Sequence, residues 1–321
     1  MGQTMNTTDL IYVAGHTGLV GSALVCELEQ QNYTNIITRT YEELDLTDQA
    51  ATNDFFATYK PAYVFLAAAK VGGIGANAAQ PAEFLYTNLS IATNVIHAAS
   101  VNGATKLLNL GSSCIYPRQA PQPIPESALL TGPLEQTNEA YALAKIAALK
   151  LCAVYHQQYG RDFFSLMPTN LYGPGDTYDL NASHVLPALI ARFHEAKTTG
   201  AASVTLWGDG SPLREFLYVD DLAQAAVYLM QNHTADSIGD WINVGSGQEV
   251  TIAGLADIVR DIVYGDAGAL PIIDWDTTKP NGTPRKLLDS SRINALSWHA
   301  TTPLKDGIRA AYADYLIRLD G

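Results

Sequence analysis

The sequence predicts a doubly wound α/β fold, a parallel sheet covered by helices on both faces, joined to a smaller C-terminal lobe. Three observations carry that expectation. Apolar runs of strand length alternate with longer helical patterns through the first half of the chain. The first run ends in a glycine turn that opens a helix. Beyond about residue 173 the alternation loosens into short elements mixed with Pro and Gly, as expected of a lobe over the sheet edge. Residues 1–172 with about 216–246 are assigned to the sheet domain, and residues 173–215 with about 247–321 to the lobe.

Residues 10–14 form the first apolar run, followed by Gly15-His-Thr-Gly18-Leu-Val-Gly21 and a helical pattern over 22–30. Glycines there permit a tight turn and close approach of backbone to a pyrophosphate, which sits at the positive end of the helix. The second strand, over 35–38, ends in Arg39-Thr-Tyr, where an NAD enzyme usually places an acidic residue on the ribose hydroxyls. Arg39 can instead meet a 2'-phosphate, or be a solvated surface residue. Residues 45–48 read as a loop beside an adenine, with Asp48 equally suited to cap a helix. Residues 63–69 are a third strand, 83–102 a long helix, 106–110 a fourth strand and 163–167 a fifth. In the lobe, 184–196 reads as helix, 204–206 as strand, and 222–231 as a helix returning to the sheet. Ligands of such sheets lie beyond the carboxyl ends of the strands, so the segments after residues 69, 110 and 167 should line one site.

At 321 residues and 47% hydrophobic, the chain can bury one large core or two unequal ones. A net charge of −13 argues against nucleic-acid or anionic-membrane partners, because no basic excess exists to release counterions. Cys26, Cys114 and Cys152 are an odd, widely spaced set without Cys-x-x-Cys, which suits a reducing compartment. The N-terminus has no apolar signal core, Asn6 stands where a myristoylation motif wants Ser or Thr, and no run approaches a membrane span. A cytoplasmic protein is expected. No spacing of His, Cys and carboxylates suggests a metal.

The chemistry is placed at Leu110-Gly-Ser-Ser-Cys-Ile-Tyr-Pro117 and Tyr141-Ala-Leu-Ala-Lys145. A four-residue spacing stacks two side chains on one helix face, so Lys145 can lie beside Tyr141. A neighbouring cation favours tyrosinate and should lower the phenol pKa from about 10. A hydroxyl at the end of the preceding strand, Ser112 or Ser113, can bond the same carbonyl oxygen that Tyr141 protonates.

Several motifs together carry a family resemblance: Gly15-His-x-Gly18-x-Val-Gly21, Gly111-Ser-Ser-Cys-Ile-Tyr-Pro117, Tyr141-Ala-x-Ala-Lys145, Met167-Pro-Thr-Asn-Leu-Tyr-Gly-Pro174, Ser183-His-Val, Arg192-Phe-His-Glu-Ala196, Trp207-Gly, Arg214-Glu-Phe-Leu and Lys279-Pro-Asn-Gly-Thr-Pro-Arg-Lys-Leu-Leu-Asp289. Across nearly the whole chain it resembles the GDP-L-fucose synthases. These are bifunctional 3,5-epimerase/4-reductases of the extended short-chain dehydrogenase family, with a Rossmann domain. The resemblance implies that GDP-4-keto-6-deoxy-D-mannose is inverted at C3 and C5 and then reduced at C4 with NADPH, by a homodimer. It implies catalytic roles for Ser112, Cys114, Tyr141, Lys145 and His184, with Cys114 the base and His184 the acid. Reference values near 8.5 for the thiol and 6.5 for the imidazole suit that exchange at neutral pH.

The cofactor contacts carried over are Gly15, His16, Thr17, Gly18, Leu19, Val20 and Gly21; Arg39, Thr40, Tyr41, Glu42, Glu43 and Leu44; Leu110, Gly111, Ser112 and Ser113; Lys145; Pro168, Thr169, Asn170 and Leu171; and His184. Substrate contacts carry over to Arg192, Trp207, Arg214, Asn281 and Lys286, since local cations must hold a diphosphate against the acidic net charge. Two positions depart from the family pattern. Thr17 replaces a frequent arginine and Asn281 a frequent aspartate, so Arg39 carries more of the NADPH preference.

Alternative readings are weaker. A 4,6-dehydratase needs an acidic pair where Cys114-Ile115 stands, and a simple 4-epimerase needs neither Cys114 nor His184. A GDP-L-colitose synthase would share nearly every motif. A non-catalytic dinucleotide sensor would lack the Tyr141/Lys145 pair.

Overall fold

The computed structural model describes residues 5–179, 183–266, 268–279 and 281–320; the N-terminal residues 1–4 and Pro280 of the Lys279 motif lie outside the described residues. The chain runs β1 (Ile11–Ala14), α1 (Leu19–Gln30), β2 (Ile36–Ile37), α2 (Gln49–Tyr59), β3 (Tyr63–Leu66), α3 (Ile74–Ala79), α4 (Pro81–Val101), β4 (Lys106–Leu110), α5 (Glu139–Tyr159) and β5 (Asp162–Pro168). It continues with β6 (Asn170–Tyr172), α6 (Val185–Thr199), β7 (Ser203–Trp207), β8 (Leu213–Tyr218), α7 (Val219–Asn232), α8 (Ala235–Ile238) and β9 (Trp241–Val244). The remaining elements are β10 (Glu249–Thr251), α9 (Ile252–Tyr264), β11 (Ile272–Asp276), β12 (Arg285–Lys286), α10 (Ser291–Ala295) and α11 (Leu304–Asp320).

Six strands form a fully parallel sheet in the order β2-β1-β3-β4-β5-β9. Alternation along β1 explains both covered faces. Ile11 and Val13 pack with Leu24 and Leu28 of α1 and with Leu222 and Met230 of α7. Tyr12 and Ala14 point the other way, into Phe55 and Phe56 of α2, Val95 and Ile96 of α4 and Cys152 of α5. A strand buried on both faces must be continuously apolar, which is why these runs stand out in the sequence. The order reverses between β1 and β3, a switch point that leaves a crevice beyond their carboxyl ends.

One shifted boundary bears on the site. The first helix starts at Leu19, inside the glycine motif, with Gly18 as its N-cap. The Asp48 side chain accepts from Ala51 N at 3.0 Å and caps α2, one of the two roles considered for it.

A second sheet is built around β8, which pairs with β10 antiparallel and with β12 and β6 in parallel, while β7 and β11 pair separately. Behind it α6, α9 and α11 enclose their own core of Phe193, Leu255, Val259 and Ile308. The return helix α7 packs on α1, as the pattern over 222–231 suggested. The Pro-rich stretch before α5 is tied to β9 through buried polar groups. Asn243 Nδ2 donates to Ile124 O at 2.9 Å, Tyr116 donates to Asn243 Oδ1 at 2.5 Å, and Glu126 Oε1 accepts from Asn243 N at 3.0 Å.

The closest backbone approach in the sheet domain is at the first turn. A methyl at position 21 would run into the Gly15 carbonyl. Gly21→Ala should therefore push α1 off the turn and lower unfolding stability by about 1–3 kcal/mol or more, with NADPH binding lost. Urea denaturation and a fluorescence titration with NADPH check both effects; unchanged values for both would refute the close fit.

Candidate active site

The cleft beyond the sheet's carboxyl edge begins with the turn after β1. Gly15 has φ +85°, and a Cβ there would lie 2.6 Å from Ala68 N of the loop after β3. Only glycine allows that left-handed backbone and that contact. The turn closes with Gly18 N donating to Gly15 O at 3.1 Å. Thr17 and Gly18 are exposed, Leu19 and Val20 half-buried, so the first turn of α1 is open to a ligand. Its N–H groups and macrodipole favour an anion. The His16 Nδ1 is buried without a protein partner. These features fit a dinucleotide pyrophosphate, with the chain supplying backbone donors rather than side-chain charge.

Arg39 follows β2 and is held in place by its neighbours. It donates to Thr38 O at 2.7 Å and to the Tyr59 hydroxyl at 2.9 Å, and it lies 5.1 Å from the Tyr59 ring centroid. Thr40 N donates to Glu43 Oε2 at 2.8 Å, Tyr41 and Glu42 are exposed, and Leu44 is buried. The segment is thus a short structured loop with one stacked cation. The loop after β3 is fixed by Asn88 of α4, which exchanges hydrogen bonds with the main chain of Lys70 at 3.0 Å each way.

Lys145 brings the central residues together. Its Nζ donates to Leu110 O, the last residue of β4, at 2.8 Å. One turn earlier on α5, the Tyr141 ring centroid lies 5.7 Å from that Nζ. Gly111 N donates to Leu166 O at 2.8 Å, extending the sheet to the loop that carries Ser112, Ser113 and Cys114. Ser112 caps a short 3-10 turn over Ser113–Ile115, its Oγ accepting from Cys114 N at 3.4 Å. Ser113 is buried, and Ser112, with partial exposure, is the hydroxyl available to the cleft.

The electrostatics differ from the sequence expectation. The phenol of Tyr141 is pushed upward, first by burial and then by the nearby Cys114, rather than lowered by Lys145. Burial also brings Lys145 down to about 8. In a low-dielectric pocket the cost of creating tyrosinate exceeds the help of one ammonium that already donates to a carbonyl. The Cys114 thiol is likewise raised by burial, opposed by Lys286, Ser112 and Lys145. His184 is exposed as a residue, yet desolvation by the groups around it and the charge of Lys286 hold it below the ordinary imidazole value. At neutral pH this yields a protonated phenol, a thiol and a neutral imidazole, with two lysines beside them.

The lobe residues separate into groups. Arg214 on β8 and Lys286 on β12 are register partners, and both are lowered by burial. The charge of Lys286 acts on both Cys114 and His184, so the three lie near one another. Trp207 is exposed at the end of β7, with Lys279 Nζ 5.6 Å from its ring centroid. Asn281 Oδ1 accepts from Asp209 N at 2.9 Å and closes the turn after Trp207. Arg192 is half-buried on α6, two turns beyond His184. Thr169 and Asn170 side chains both donate to Glu215 O, at 3.3 and 2.8 Å, and Thr169 N donates to Val244 O at 3.1 Å; Pro168 ends β5 and Leu171 continues β6.

Sequence reasoning missed Glu215 and Asn88. Glu215 is a fully buried carboxylate whose neighbours come from distant parts of the chain. Its sequence signals are a place in the Arg214-Glu-Phe-Leu motif and an acidic residue beside an arginine in a strand whose other residues are apolar or aromatic, Leu213-Arg-Glu-Phe-Leu-Tyr218. Asn88 looked like an ordinary polar position on a long helix.

Among known proteins, GDP-L-fucose synthase 1 of Arabidopsis thaliana is 58% identical over 95% of this chain and 93% of its own length. The GDP-L-fucose synthase of Escherichia coli strain K12 is 48% identical over 97% of both chains. A GDP-L-colitose synthase of Yersinia pseudotuberculosis is further away, 38% identical over 93% of this chain and 95% of its own. Among solved structures, a GDP-mannoheptose C4 reductase from Campylobacter jejuni with NADP bound superposes with a TM-score of 0.88, at 39% identity over 97% of this chain and 99% of that one. The profile of the NAD dependent epimerase/dehydratase family matches residues 11–245, the stretch that holds the glycine turn, the Ser112–Cys114 loop and the Tyr141/Lys145 helix, and the chain belongs to that family.

Proposed function

We propose that the chain is a GDP-L-fucose synthase, converting GDP-4-keto-6-deoxy-D-mannose to GDP-L-fucose by epimerisation at C3 and C5 and reduction at C4. The observation that carries this reading is one cleft holding Tyr141 and Lys145 together with Cys114 and His184. Reduction alone needs only the first pair; inversion of a carbon needs a base and an acid as well. The higher identity to GDP-L-fucose synthases than to the GDP-L-colitose synthase supports the fucose product.

The residues divide the work as follows. Once the Cys114 proton has passed to His184, directly or through solvent, the Cys114 thiolate takes the proton from the carbon next to the C4 ketone, and the electron pair moves to O4. Hydrogen bonds from Tyr141 and Ser112 hold the resulting enolate oxygen. His184, as imidazolium, returns a proton to the opposite face, and the ketone re-forms with the centre inverted. A proton transfer from Cys114 back to His184, directly or through solvent, resets the pair, and the same exchange serves the second carbon. The raised thiol makes Cys114 a strong base whenever Lys286 and Lys145 stabilise its charged form, and the lowered imidazole makes His184 a strong acid whenever it is protonated. NADPH, when bound, supplies the hydride that C4 accepts. Tyr141 then protonates O4, a role suited to a phenol held neutral by burial, and Lys145 stands ready to return a proton to it.

Gly15 to Gly21 would hold the pyrophosphate, and Arg39 the 2'-phosphate of NADPH. Arg214, Lys286, Arg192, Trp207 and Asn281 would bind the GDP-sugar. Exposed Tyr86, Leu143, Val154 and Tyr159 along α4 and α5 support a homodimer through these helices. Free thiols at Cys26, Cys114 and Cys152 support a reducing, cytoplasmic setting; among the described residues no helix is long and apolar enough to cross a membrane.

Turnover of GDP-4-keto-6-deoxy-D-mannose with NADPH in deuterated water should place deuterium at C3 and C5 and yield an L-fuco sugar by NMR; an unreacted ketosugar would sink the reading. Tyr141→Phe should slow NADPH oxidation by about 10²- to 10⁴-fold while NADPH still binds, as stopped-flow and fluorescence titration would report. In Cys114→Ser, deuterium entry should fall by about 10²-fold or more, and normal exchange would assign the base elsewhere. The reduction step should weaken as pH rises through about 8, because Lys145 is charged only below its depressed value. Lys145→Met can neither carry that charge nor return the proton, so it should slow reduction and remove the limb near 8 from the pH–rate profile.

A further inference from the structure

We propose that Glu215 is a positioning residue that ties the cofactor side of the cleft to its substrate side. Nothing in the chemistry above uses it, yet it is a fully buried carboxylate at the hub of the second sheet. Its two carboxylate oxygens serve different segments. Oε1 accepts from Gly247 N at 2.7 Å, just past β9, and Oε2 accepts from Leu288 N at 3.0 Å, two residues beyond Lys286. Its main-chain carbonyl receives the Thr169 and Asn170 side chains. One residue therefore joins the loop proposed to touch the cofactor with the strand proposed to touch the sugar.

The local architecture is shaped around that carboxylate. A Cβ at Gly245 would collide with it, so the end of β9 leaves room for it by having no side chain. The strand β12 is only two residues long and cannot hold Lys286 by pairing alone. Its flanks are tied instead: Leu213 N donates to Pro284 O at 2.9 Å, Leu287 N to Gln122 Oε1 at 2.9 Å, Asp289 N to Ile124 O at 2.9 Å, and Leu288 N to Glu215. Of these, the bond to Glu215 is the one made to a buried charge, the stronger kind. Alternation along β8 puts Arg214 on the opposite face from Glu215, beside Lys286 in register. The carboxylate thus sets the height of Lys286 against Cys114 and His184 without touching the substrate. A buried carboxylate is costly unless it is hydrogen-bonded, and one amide donor from each segment binds one of its oxygens. This assignment rests on the functional reading of the cleft given above.

The test is Glu215→Gln, which keeps the size and removes one acceptor oxygen, so that an amide NH2 faces a backbone N–H. The KM for GDP-4-keto-6-deoxy-D-mannose should rise about ten-fold or more, the factor expected for losing one charge-assisted hydrogen bond at a binding strand. The KM for NADPH should stay within about two-fold, because Thr169 and Asn170 bond the main chain, which the substitution leaves in place. A purely structural loss would lower the active fraction and move kcat with both KM values unchanged. An activity-independent readout accompanies it: acylation of Lys286 by an amine-reactive ester, followed by peptide mass spectrometry, should be several-fold faster in the variant. If Glu215→Gln fails to fold, Gly245→Ala displaces the carboxylate from the other side and should give the same split. An unchanged ketosugar KM, a parallel rise in both KM values, or an unchanged Lys286 labelling rate overturns the proposal. If the wild-type protein does not turn over the ketosugar, the reading of the cleft fails, and the labelling rate alone decides whether Glu215 positions Lys286.

Discussion

The hydrogen bond from the Lys145 ammonium to the Leu110 carbonyl is the interaction on which the cleft depends. It joins the last residue of a central strand to the second turn of a long helix, and so sets α5 in one axial position against the sheet. Tyr141, one turn earlier, is then carried to the Ser112–Cys114 loop, and its ring meets Phe84 of α4 edge-on at 6.3 Å. A neutral side chain of similar length could fill the space. Only a charged donor at the end of β4 also brings a proton and a positive charge to the same place. The cost is a buried ammonium with a depressed pKa, and that cost places its titration near the working pH of a proton-transfer residue.

Much of the sheet domain was legible in the sequence because its information is local. Tyr63-Val-Phe-Leu66 is apolar on both faces, so it reads as an interior parallel strand without reference to its partners. The glycine turn was legible for the same reason, since Gly15 and Gly21 answer to each other across six residues. The second sheet was not. The strands β6, β8, β10 and β12 come from residues 170 to 286, and three of them have two or three residues, too few for any period to show. Glu215 escaped notice because its four partners are defined only by that pairing.

The site residues were named from motif and resemblance, but their protonation was misjudged. Helical spacing placed Lys145 beside Tyr141 and suggested a lowered phenol. Burial, in which the Phe84 edge takes part, reverses the direction because it penalises the charged form more, and the charge of the nearby Cys114 adds to it. Spacing along one helix reports neighbours; burial depends on everything packed around them. The same distinction separates Arg39, whose cation is visible in sequence, from the Phe55–Tyr59 rings that hold it, which only the fold brings beneath it.

The brevity of β12 has an evolutionary side. The parallel strands of the six-stranded sheet are packed on two faces, so a substitution in one is felt by several helices. The segment from Pro284 to Asp289 is different: it is sutured by a handful of hydrogen bonds to β8, Gln122, Ile124 and Glu215. Residues on it can be exchanged while those sutures hold. A scaffold arranged this way can exchange the residues of one short strip of chain while the six-stranded sheet stays untouched.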